Sequence, residues 1–177
     1  MIPVRPVAGY RIDRSSVMDG KTVASSRAIV EEVRKEGDSA LRKFTREFDG
    51  VELSSFEVPR WKIDASADRL SEEVREAIRT AYDNILAYHR EGVLHDFEME
   101  PRPGVSLGRK VVPFRRAGLY APGGLAVYPS MVLMASAPAN VAGVGELVLC
   151  SPPTREGTLP DAVLFAAGVA GIDRVFL

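Results

Sequence analysis

Cysteine is nearly missing from this chain: Cys150 stands alone among 177 residues. A single thiol excludes an internal disulfide framework and points to a reducing compartment, the cytoplasm by default. An excess of either charge is missing too, with 23 Lys+Arg against 24 Asp+Glu and a net charge of −1. No global field therefore draws the chain to nucleic acid or to an anionic membrane. No apolar run reaches the ~18 residues of a membrane span, and the opening stretch MIPVRPVAGYRIDR lacks the apolar core of a signal peptide. Histidine is scarce: His89 and His95 lie six apart across Gly92, which does not match zinc-ligand spacing on a helix. His89 reads instead as a half-buried residue at a helix end, where it suits the dipole. There is no internal repeat and no low-complexity tract. What remains, 46% hydrophobic and 27% charged, is the make-up of an ordinary soluble domain with a core.

Residues 1–22 read as an irregular arm rich in Pro, Gly and Arg. Ser25 or Ser26 is expected to cap a helix through about Lys35, with Ile29, Val30 and Val33 on one face. Gly37 ends it, and Asp38 caps a second helix whose Leu41, Phe44 and Phe48 predict core packing between two short helices. Residues 51–65 are expected to be a linker with a short strand near Phe56–Val58, and Trp61 a packing residue. Ser71-Glu72-Glu73 opens a long helix to about Glu91, with Val74, Ile78, Tyr82, Ile85 and Tyr88 along one face. Such a helix suits a strut joining the N-terminal arm to the α/β core. Phe97–Met99 and Val105–Leu107 predict a hairpin turning at Pro103-Gly104. Arg102, Arg109, Lys110, Arg115 and Arg116 cluster there, as a solvated face or as local attraction for an anionic cofactor.

The chain is organised around residues 111–153. A β-prone run, Val111–Phe114 and then Ala117–Tyr120, leads into the loop Tyr120-Ala121-Pro122-Gly123-Gly124. A small-residue helix from Pro129 and a strand Glu146–Cys150 come next, and Pro160 opens another helix before a last strand, Ile172–Leu177. Strand, glycine loop, helix, strand is a βαβ unit, and its first loop is where such units bind ligands. Adjacent glycines allow positive φ and close backbone approach, and a helix N-terminus just downstream offers N–H groups to an anion. Tyr120 could lay its ring on an adenine or a sugar, or cap the core. The G-x-G-x-x-G spacing of the dinucleotide fingerprint is absent, so on local grounds the loop reads equally as a ligand cradle or a tight turn. The fold class is α/β, with a boundary expected between an N-terminal helical part, residues 1–96, and an incomplete Rossmann-like parallel sheet, residues 97–177.

The run GLYAPGGLAVYPSMVLMASAPANVAGVGELVLCSPP resembles the corresponding stretch of histidinol dehydrogenases. Gly118-Leu119-Tyr120-x-Pro122-Gly123-Gly124, Tyr128-Pro129-Ser130, Val132-Leu133-Met134 and Ala142-Gly143 carry the likeness, with Glu36–Leu41, Phe44-Thr45 and Phe48-Asp49-Gly50 upstream. The resemblance implies a two-step, NAD-dependent oxidation of L-histidinol to L-histidine through the aldehyde, the last step of histidine biosynthesis. It implies zinc, a homodimer, and an aldehyde-dehydrogenase-like architecture. It assigns Tyr120, Pro122, Gly123 and Gly124 to NAD and Ser130 to the substrate, although Ser130 reads equally as a helix-capping hydroxyl. Leu125 and Met131 stand where other members often carry a hydroxyl residue.

The family's zinc ligands and its Glu–His acid–base pair match no position here and are expected beyond Leu177. The chain thus reads as an N-terminal portion, inactive alone, with apolar surface exposed along the last strand and the crevice where the rest would pack. No carboxylate is expected beside the glycine loop. Cys150, as in aldehyde dehydrogenases, is a rival nucleophile, but its apolar neighbours Leu147–Leu149 predict a buried, inert thiol. Two alternatives stand beside this reading: a dehydrogenase of another amino alcohol or diol, and a non-catalytic nucleotide-binding or assembly module.

Overall fold

The computed structural model describes residues 19–123 and 126–177, so the expected N-terminal arm lies outside the described residues apart from its last few. The chain forms two compact units, one ending at Phe44 and the other running from Thr45 to Leu177. The first contains α1 (Gly20–Glu36) and α2 (Asp38–Phe44). Asp19, not Ser25 or Ser26, caps α1: its carboxylate accepts from Lys21 N and Thr22 Oγ1, each at 3.2 Å. A carboxylate at this position meets both the unpaired N–H groups and the positive end of the helix dipole. Gly37, at φ 60°, ends α1 as expected.

The second unit opens with a π-helical turn, Thr45–Asp49. The core role expected of Leu41 and Phe48 is not met: they are 37% and 61% exposed, and Ala40 is the buried residue of α2. Residues 51–59 of the expected linker are irregular, with Glu57 forming an isolated antiparallel bridge to Phe176 in place of the expected short strand. The linker's end is helical, a 3-10 turn (Ala65–Arg69) following α3 (Arg60–Asp64). Its buried side chain is Ile63, whereas Trp61 is 64% exposed. Ser71 caps α4 (Glu72–Arg90), accepting from Val74 N at 3.4 Å. The buried face of α4 centres on Ile78 and Tyr82 with Ile85 and Leu86 half-buried, while Tyr88 is 78% exposed. Rather than a strut, α4 is a packed layer lying on α5 and α6. That places it in the second unit, so the units part at Phe44 and not near residue 96.

The hairpin β1 (Phe97–Arg102) and β2 (Val105–Arg109) turns at Gly104, φ 78°. Val111–Phe114, expected to be β-prone, joins no strand. The sheet begins at β3 (Ala117–Tyr120), continues through α5 (Pro129–Val141), β4 (Leu147–Cys150), α6 (Asp161–Val169) and β5 (Arg174–Phe176), and is parallel in the order β3-β4-β5. In-register partners share a face, since side chains alternate along each strand. Ala117, Leu119, Leu147, Leu149 and Val175 line the face that meets α5 and α6. Leu149 and Val175 are fully buried, worth about 1.5–3 kcal/mol each in removal from water. Five consecutive residues of α6, Val163–Ala167, are buried, as expected for a helix enclosed between a sheet and further helices. The opposite face carries Gly118, Tyr120, Val148, Cys150, Arg174 and Phe176.

Candidate active site

β3 and β4 end side by side, and the loops leaving their carboxyl ends enclose a cleft of about 510 Å³. Ala121 N donates to Cys150 O at 3.0 Å, holding the two exits together. From the first loop come Pro122, Gly123 and Tyr128, and from the second Ser151, Pro152, Thr154, Arg155 and Glu156. Gly123 does not take positive φ. The backbone passes so close to Pro152 that a Cβ at Gly123 would lie 2.8 Å from Pro152 Cγ and 3.2 Å from Pro152 O. The glycine is required for proximity, not for a left-handed turn.

Two helices point their N-termini at this end of the sheet, and they differ. α6 begins at Pro160 with Asp161 in its first turn, and Asp161 accepts from Arg69 Nε at 2.8 Å. A carboxylate already meets that terminus. α5 begins with Tyr128 at the cap, Pro129 next, no side-chain cap and no acidic residue in its first turn. Pro129 has no N–H and Met131 N donates to Tyr128 O at 3.2 Å, so what the first turn offers an anion at the Tyr128 side of the cleft is the Ser130 N–H and the positive dipole end.

The predicted site residues divide. Pro122 and Gly123 line the cleft; Tyr120 and Ser130 do not. Tyr120 is 66% exposed on the uncovered face of the sheet at the end of β3. Ser130 is an exposed residue in the first turn of α5, and Tyr128 rather than Ser130 takes the capping position. Gly124, with Leu125, lies outside the described residues.

Arg155, Thr154 and Glu156 were not anticipated. Their signal was available: Ser151-Pro152-Pro153-Thr154 leaves β4 at its carboxyl end, the side on which open α/β sheets bind ligands. The expectation that no carboxylate neighbours the glycine loop is corrected, because Glu156 lines the cleft opposite Gly123. Although Thr154 Oγ1 makes no hydrogen bond of regular geometry, the neighbouring Thr154 side chain, and then the backbone of Glu156 itself, hold the Glu156 carboxyl below the usual carboxylate range. It stays ionised in water and is poorly matched to proton transfer near neutrality.

Cys150 is exposed, not buried as expected. Partial desolvation by its neighbours pushes its thiol up, opposite to what a nucleophilic cysteine needs. The basic cluster is not gathered at the cleft either. Arg116 donates to Glu146 at 2.7 Å, and Arg109 donates to His95 O at 3.0 Å. Among the described residues, no three His, Cys, Asp or Glu side chains converge as a metal site would require, and none of their helices is long and apolar enough to cross a membrane. The described residues do not fit a zinc ion.

Residues 12–177 match the family model described as Histidinol dehydrogenase. A histidinol dehydrogenase of Xylella fastidiosa is 45% identical over 149 residues, 84% of this chain and 35% of its own length. One of Methanosarcina mazei is 44% identical over 158 residues, 89% of this chain and 36% of its own. The crystal structure of histidinol dehydrogenase from Elizabethkingia anophelis superposes with a TM-score of 0.82 at 30% identity, over 94% of this chain and 37% of that one. The chain thus spans little more than a third of the relatives it matches, as an N-terminal portion of them. Motif, fold and these likenesses agree: the chain belongs to the histidinol dehydrogenase family.

Proposed function

We propose that this chain is the nucleotide-binding N-terminal portion of an NAD- and zinc-dependent oxidoreductase that converts L-histidinol to L-histidine through the aldehyde. The observation that carries the reading is the open N-terminus of α5 at a cleft walled by Pro122 and Gly123, at the carboxyl ends of two adjacent parallel strands. In this reading the α5 terminus and Arg155 attract the pyrophosphate, Pro122, Gly123 and Gly124 let it approach the backbone, and Tyr120 supports a ring. Ser130, in the first turn of α5, serves the substrate. NAD, when bound, supplies the hydride acceptor. The proton-transfer groups and the zinc ligands belong to the C-terminal portion of the family's chain, because neither histidine lines the cleft and the one carboxylate that does is held ionised. A cytoplasmic homodimer is the expected form of the whole enzyme.

The test is direct. Saturation-transfer NMR of this polypeptide with NAD+ is expected to show contact, weakened by Gly123→Val, while histidinol-dependent NADH formation is absent until the C-terminal portion is supplied. Absence of contact with NAD+ would remove the basis of the proposal. Turnover by this polypeptide alone would refute the division of labour.

A further inference from the structure

The loop that leaves β4 closes on itself where it borders the cleft. Gly157 N donates to Thr154 O at 2.9 Å and Thr154 N to Thr158 O at 2.7 Å. The first of these bonds makes a β-turn with Arg155 and Glu156 at its two central positions. Both ends of the loop are anchored: Ser151 N donates to Phe176 O of β5 at 3.0 Å, and Leu159 is buried. Gly157 takes φ 69°, and a Cβ there would meet Leu53 Cδ2 at 3.3 Å, so the turn also rests against the chain before α3. Arg155 and Glu156 are exposed, and among the described residues no ion pair engages either one. A tethered turn thus presents two neighbouring side chains of opposite charge to the cleft.

Their places differ. Both line the cleft, but Glu156 also lines an adjoining hollow of about 330 Å³ bounded by Leu53, Val58 and Pro59. That hollow includes no residue of α5 or of the loop before it, so Glu156 marks the end of the cleft remote from the α5 terminus. In a βαβ nucleotide site the pyrophosphate lies at the first loop and the helix N-terminus, and the ribose is read beyond the second strand. There an acidic side chain accepts from the 2′-hydroxyl of NAD, or an arginine receives the 2′-phosphate of NADP. β3, α5 and β4 make that unit here, and the loop after β4 carries one side chain of each kind. We infer that Glu156 is the residue that selects the nucleotide: its carboxylate accepts from the adenosine ribose and turns away a 2′-phosphate, which Arg155 beside it would otherwise hold. The inference deepens the functional reading above and rests on it for the nucleotide itself. A carboxylate held ionised can only accept hydrogen bonds. It therefore suits a hydroxyl donor and repels an anion brought to the same place.

Dissociation constants for NAD+, NADP+, AMP and 2′-deoxy-AMP, measured on this polypeptide by ligand-observed NMR titration, test the inference without turnover. The parent chain is expected to bind NAD+ at least about tenfold tighter than NADP+, and AMP about fivefold tighter than 2′-deoxy-AMP. Glu156→Gln keeps the size and removes the charge, and should bring the two dinucleotides within about threefold of each other. Glu156→Asp keeps the charge and should still disfavour NADP+. Adding Arg155→Ala to Glu156→Gln should weaken NADP+ more than NAD+, because the 2′-phosphate loses its cation. Both side chains are exposed and outside any ion pair among the described residues, so thermal unfolding of the variants should match the parent. NAD+ binding with the same preference over NADP+ in Glu156→Gln as in the parent would overturn the inference and leave the nucleotide reading standing. Equal affinity of the parent for AMP and 2′-deoxy-AMP would do the same. Failure of all four probes to bind would remove the nucleotide reading and the inference together.

Discussion

Asn140 joins three helices through one amide group. Its Nδ2 donates to Tyr82 Oη of α4 at 2.7 Å and to Ala170 O, just past α6, at 2.7 Å, using both of its hydrogens. Tyr82 Oη reaches the same carbonyl only at 3.4 Å, longer than an effective O–H···O bond. Asn140→Leu keeps the side-chain volume and removes both short bonds. At about 1 kcal/mol net each, with a further cost for leaving the Ala170 carbonyl with only the long contact, the expected loss is about 2–3 kcal/mol. Tyr82→Phe removes one short bond and the weak one while Asn140 still holds Ala170 O, so about 1 kcal/mol is expected. The bond between the two side chains is lost in either variant and counted once in the double, which should fall short of the sum by about 1 kcal/mol. Urea unfolding at constant m-value measures all four proteins. Additivity to within about 0.3 kcal/mol, or an Asn140→Leu variant as stable as the parent, would show that this group does not fasten α4 and α6 to α5.

Gly123→Ala is expected to cost about 1–3 kcal/mol, because its Cβ meets Pro152 Cγ at 2.8 Å and the two loops must part; thermal unfolding and NAD+ titration of the same sample should both register it. Arg174, by hydrogen bond and then by charge, holds the Glu57 carboxyl below the usual carboxylate range. Its stabilising effect is complete above the unfolded-state value and is lost as pH falls through the folded one, so Glu57→Gln should flatten the acid limb of a stability–pH curve and leave the neutral region nearly level. Gly108→Ala would place a Cβ 2.5 Å from Phe97 O across the hairpin; hydrogen exchange should show β1 and β2 losing protection while β4 and α6 keep theirs, and an unchanged hairpin would contradict the register.

Much of this fold is legible from local chemistry. The Ser71 cap with its acidic first turn, the 3.6-residue repeat through Ile78, Tyr82 and Ile85, the Pro103-Gly104 turn and the Pro160 helix start are short-range signals, and each element forms where they point. Family membership was legible too, because spaced motif residues from Gly118 to Gly143 carry it without reference to packing. Tertiary structure decided the rest. Trp61 and Phe48 are apolar and helical, yet which helix face is covered depends on partners distant in sequence, and both side chains are exposed. Gly123 looked like a positive-φ glycine, but its need arises from Pro152, twenty-nine residues on, which no local pattern displays. Tyr120 and Pro122 are two residues apart and would share a face on a continuing strand, but β3 ends at Tyr120, so Tyr120 stays on the bare face while Pro122, in the loop, lines the cleft. Sequence by itself determined the elements, the family and the loop at the end of β3, since periodicity, capping and motif spacing are properties of neighbours along the chain. Which face α5 and α6 cover, and which side chains therefore share a cleft, only three-dimensional packing decided, because contacts between distant residues are set by the whole assembly of helices on the sheet.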